Sequence, residues 1–98
     1  MKRIKEYTDE IKEELCGAKG YAENYLYYKS TNPSWSKMYL TMAQQELQHA
    51  EYLHTMVTQE IEKLKEVIDP PENMMEKWKH EHNEYVDKTA WIKQMLSL

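Results

Sequence analysis

The sequence predicts an all-α protein built as a long antiparallel helical hairpin plus a third helix. Three observations carry that expectation. Glycine and proline number only two and three in 98 residues, while Glu, Lys, Met, Leu and Gln, all good helix formers, are abundant. Most of the breakers cluster: "STNPSWS" from Ser30 and "DPPEN" from Asp69 interrupt the chain with prolines that cannot continue a helix. Between the interruptions, apolar residues recur at steps of three and four, with no alternation of the kind a strand would need. The expected helices lie near residues 2–29, 34–68 and 71–95, within one domain spanning 1–98.

In the first helix, Ile4, Tyr7, Ile11, Leu15, Ala18, Tyr21, Ala22 and Tyr25 form one stripe, because successive residues advance by about 100°. Glu14 falls inside that stripe and Glu10 at its edge, whereas Glu13 and Glu23 point well away. The second helix repeats the pattern with Met42, Ala43, Leu47, Ala50, Leu53, Val57, Ile61 and Leu64. Glu46 lies close to the centre of this stripe, with His49 and His54 toward opposite edges and Glu51 and Glu60 outside it. The third helix carries a weaker stripe of Met75, Trp78, His82, Tyr85, Val86, Thr89, Ile92 and Leu96, with Trp91 on the opposite side, as expected of a helix touching two surfaces.

Composition excludes several classes of function. The formal charge is −4 and no basic block occurs, which argues against a nucleic-acid partner. A single cysteine, Cys16, forms neither an internal disulfide nor a paired-cysteine metal site. The start "MKRIKEYTDEIKEEL" lacks the apolar run of a signal peptide or membrane span, so the expectation is a cytoplasmic protein with no membrane partner. Phenylalanine is absent while eight tyrosines and three tryptophans are present, so the aromatic side chains carry polar tips that need partners.

Three polar residues stand where packing alone would favour apolar ones: Glu14, Glu46 and His49. A carboxylate on one helix, with a carboxylate and an imidazole at i and i+3 on the next, is a set by which helical bundles hold iron or manganese. Two hard oxygens with one imidazole suit those ions better than structural zinc. The alternative is that His49 simply donates a hydrogen bond to a nearby carboxylate. His54 and His82 read as core-edge or interface residues, and Tyr21, Tyr25 and Tyr28 as packing.

The stretch "EELCGAKGYAENYLYY" followed by "AQQELQHAEYLH" resembles the first helix pair of rubrerythrins and related ferritin-like proteins, over about Ile11 to Leu64. Glu14 matches that family's lone Glu, and Glu46 and His49 match its Glu-x-x-His. The chain is also similar to short ferritin-like proteins of Gram-positive prophages, which share the "YYK…P" loop, Leu53–His54 and a "PP"-initiated third helix with a histidine near His82. A full ferritin-like chain has a fourth helix and a second ligand set, and this chain has neither. The resemblance to similarly short encapsulated ferritins therefore implies a half-bundle completed as a four-helix bundle by a homodimer, or by a higher assembly of dimers. It further implies a diiron site with iron as the metal, or manganese, in which Glu46 bridges, Glu14 ligates terminally and His49 completes each ion. The activity so implied is a ferroxidase-like oxidoreductase, with Glu14, Glu46 and His49 as its catalytic residues. The other reading is a metal-free prophage-encoded interaction protein that meets a protein partner through Trp35, Tyr39 and Trp91.

Overall fold

A computed structural model, which describes residues 2–98, contains three helices: α1 (Lys2–Tyr28), α2 (Pro33–Val67) and α3 (Glu72–Leu96). Every end falls within one residue of the bounds expected from sequence, because the breaks have chemical causes. Asn32 caps α2 by accepting the Trp35 N–H at 3.2 Å, and Pro33 enters the first turn, where its missing N–H goes unused. The turn is tied to the end of α1 by Ser36, whose buried hydroxyl donates to the Tyr25 carbonyl at 2.8 Å. At the far end Ile68 is extended and its N–H closes the last turn onto the Leu64 carbonyl at 2.9 Å. The Asp69-Pro70-Pro71 run then forbids continuation.

Helices α1 and α2 pack against each other along most of their length, and α3 lies in the groove on one side of the hairpin. The result is a rod of 55 × 17 × 16 Å. Its core joins Ile11, Leu15, Ala18 and Ala22 of α1, Ala50, Val57 and Ile61 of α2, and Ile92 of α3. The alanines at 0% exposure allow close approach of the hairpin helices, while the isoleucines and leucine supply most of the apolar area removed from water. Helix α3 comes closer to α1 than to α2. The wider space toward α2 is filled by rings: His54 stacks on Tyr85 with centroids 4.2 Å apart, and Trp78 lies 5.7 Å from His54.

Two stripe assignments change. Val86 is 47% exposed, because six residues from the buried Ile92 turn it about 120° off that face, whereas Tyr85, at seven, remains near it. Met42 is likewise exposed, on a flank of the hairpin that α3 does not cover. No helix among the described residues is long and apolar enough to cross a membrane.

Gly20 offers a direct test of how far helix propensity limits stability. A Cβ at this exposed mid-helix position meets nothing within 4 Å. Gly20→Ala is expected to stabilise the protein by about 1 kcal/mol, read as a higher urea midpoint with unchanged slope.

Candidate metal centre

The hairpin register sets Glu14 of α1 against Glu46 and His49 of α2. One donor atom from each of the three lies within 4.8 Å of the others, and among the described residues this is the group able to hold an ion. His49 Nδ1 stands 3.5 Å from Glu14 Oε2. Donors sharing one ion at about 2.1 Å each sit roughly 3–4 Å apart, so the group fits a single cation after small side-chain adjustment. Its chemistry fits as well: carboxylate oxygens with one imidazole form a hard donor set.

Glu14 and Glu46 are half-buried and His49 is exposed. They occupy the flank of the hairpin turned away from α3. Thr8, Lys12 and Leu15 line the α3 side of α1, and Leu47, Glu51 and His54 line that of α2. Helical spacing carries Glu14 and Glu46 to the other side of each contact stripe. Glu46, expected close to the centre of the α2 stripe, is instead half-buried at the edge of the helix interface, because the buried face of α2 centres on Ala43, Ala50, Val57 and Ile61.

Gly17 contributes a feature that ligand spacing did not reveal. A Cβ there would stand 3.4 Å from Glu46 Oε2 and 3.7 Å from its carboxyl carbon, in ordinary contact, which places the Glu46 head group directly over α1 at Gly17. Glu60, expected outside the stripe, is half-buried on the same flank and reaches Arg3 and Lys63, each at 3.9 Å. Toward the hairpin tip this flank continues into an aromatic cluster. Tyr39 lies 6.1 Å from Tyr21 and stacks on Tyr28 at 5.8 Å, and Tyr28 meets Trp35 edge-on at 5.3 Å. Of the tyrosines expected as packing residues, Tyr21 and Tyr28 therefore meet rings of α2 across the hairpin, while the ring of Tyr25 lies 5.7 Å from the Lys29 ammonium.

The two carboxyl groups interact strongly. The hydrogen bond with Glu14 raises the Glu46 pKa above the ordinary 4.5, burial and the Glu14 charge push the same way, and His49 opposes them. A cation between the two carboxyl groups would oppose this shift by favouring the ionised form of Glu46. A raised folded-state value means that acid stabilises: the Glu46 contribution is fully present below about 4.5 and is lost as pH rises through the elevated value. Glu46→Gln is thus expected to raise apo-protein stability at pH 7 and to have little effect near pH 4, measured by urea unfolding at both. A loss of stability at pH 7 would make Glu46 a structural acceptor.

His54 and His82, expected at the core edge, lie on the opposite, α3-facing side and bond to each other rather than to the triad. No protein-family model, curated protein or solved structure matches the chain.

Proposed function

We propose that the chain is a non-haem metal-binding protein of diiron type that takes up ferrous iron and oxidises it, with the complete site formed between two subunits. The convergence of Glu14, Glu46 and His49 carries this reading, since Glu14 beside Glu46 raises the cost of ionising Glu46, and the carboxyl pair gains a role once a cation lies between them. Bound iron would supply one-electron redox chemistry toward dioxygen or peroxide. Glu14 and Glu46 would provide anionic oxygen donors, and His49 would supply the nitrogen donor. Manganese suits the same donors.

A homodimer is supported by the flank that bears the triad. Trp35, Met38, Met42 and Met56 are exposed there at 49%, 57%, 36% and 40%, a concentration of large apolar groups with the carboxyl pair among them. A second copy against this flank would bring two triads together across a twofold axis and complete a four-helix bundle from two hairpins.

Elemental analysis of untagged protein, combined with its mass in solution, tests the reading. We expect about one iron per chain after anaerobic loading and a dimeric mass at micromolar concentration. Background metal in loaded samples would defeat the metal reading, and a strictly monomeric mass would defeat the shared site.

A further inference from the structure

We propose that α3 is an acid-sensitive latch, held against the hairpin at neutral pH by the His54–His82 pair and released when both rings are protonated. His54 projects from α2 and His82 from α3, and His54 Nε2 lies 2.8 Å from His82 Nδ1. At that distance one ring nitrogen donates and the other accepts, so the bond holds while at least one ring is neutral. Two imidazolium rings have no acceptor to offer each other and repel across the contact.

Among the described residues, no carboxylate forms an ion pair that would compensate the second proton. His54 is enclosed by Tyr85, stacked at 4.2 Å and 9°, and by Trp78. Lys12 faces the seam from α1 and Glu51 from α2, with Tyr85, Glu81, Glu84, Lys88 and Lys93 on α3. Glu72, Glu76 and Lys79 lie beside His82. Of these acids, Glu81 holds Lys12 at 2.8 Å, Glu84 holds His80 at 3.3 Å and Lys88 at 3.6 Å, and Glu51, Glu72 and Glu76 line the adjoining surface without an ion pair to either ring. No ion pair joins either ring of the couple to a described carboxylate. Burial, with the His82 charge adding to it, accordingly pushes the His54 pKa below 6.5.

The sign follows. A histidine whose docked value is depressed binds fewer protons docked than free, so docking is strongest above about 6.5 and weakens as pH falls. The equilibrium should weaken by up to tenfold per pH unit for each proton excluded, until the depressed value is reached. Besides this pair, α3 is held by the buried Ile92, by the partly buried Met75, Trp78, Tyr85, Met95 and Leu96, and by the Lys12–Glu81 ion pair, none of which loses its partner when the two rings are protonated.

The test uses the full chain with Trp35→Phe and Trp91→Phe, leaving Trp78 as the sole tryptophan. Between pH 8 and pH 5 we expect its emission to shift to the red, starting below pH 6.5, while most of the far-ultraviolet helix signal persists. In His54→Phe, which preserves a ring against Tyr85 but cannot titrate, the emission should stay constant over that range. Should His54→Phe fail to fold at pH 8, His82→Gln retains a hydrogen-bonding group and removes one titrating ring; the transition should then become shallower and move to lower pH. Unchanged Trp78 emission, a transition alike in wild type and variant, or loss of all helix signal together with the shift would each overturn the proposal.

Discussion

His49→Ala is expected to abolish ferrous binding and oxidation, whereas His54→Ala leaves both largely intact. The two histidines share a helix and a residue type but face opposite flanks. His49 follows Glu46 by three residues, about 300° of rotation, and stands 3.5 Å from Glu14 Oε2 on the flank of the carboxyl pair. His54 is eight residues from Glu46, roughly 12 Å along the axis, and bonds to His82 on the α3 side. Anaerobic titration with ferrous ion followed by exposure to air, monitored by the near-ultraviolet absorbance of ferric iron, separates the two. Because His49 is exposed, its removal should not unfold the apo-protein, so a lost signal would report chemistry rather than stability. Full activity in His49→Ala, or equal losses in both variants, would remove the pairing on which the functional reading rests.

Ile92→Ala is expected to have the largest effect on stability of any single α3 substitution. At 1% exposure Ile92 is the side chain through which α3 enters the core of the hairpin. Truncation of a buried isoleucine costs about 2–5 kcal/mol, from lost transfer energy and the cavity left behind. In a domain of this size that lowers the melting temperature by about 10 °C or more. Val86→Ala, six residues away on an exposed face, should change stability by no more than about 0.5 kcal/mol. Urea and thermal unfolding of the two variants side by side test the assignment, and similar losses would mean that α3 does not pack through Ile92.

Much of this architecture was legible in the sequence because its causes are local. Asn32-Pro33 and Asp69-Pro70-Pro71 dictate where helices stop without reference to the rest of the molecule. Glu14, Glu46 and His49 were legible as a group because regular helices convert spacing into direction, and an antiparallel hairpin with a short turn fixes which residues face each other. Contacts between α2 and α3 were less so. Their register depends on the path through the prolines, and single-helix periodicity marks His54 and His82 as edge residues without showing that they meet. Val86 failed for a related reason: the weak α3 stripe admits more than one face, and only packing around Ile92 selects between them. The approach of Glu46 to Gly17 gave no sequence signal, since it depends on where the Glu46 side chain lies across the helix pair.

The short turn between α1 and α2 also bears on how quickly the molecule can form. The contacts of the hairpin are nested, with Tyr25–Ser36 innermost, then Glu14–His49, then Arg3–Glu60 near the ends. Each inner contact shortens the loop that the next must close, so the chain can zip outward from Asn32 with little additional entropy lost at each step. A topology so dominated by hairpin neighbours belongs to the fast end of the folding range. Helix α3 has its partners far back along α1, across a longer loop than any in the hairpin, so the triad flank is expected to assemble before the opposite seam is covered.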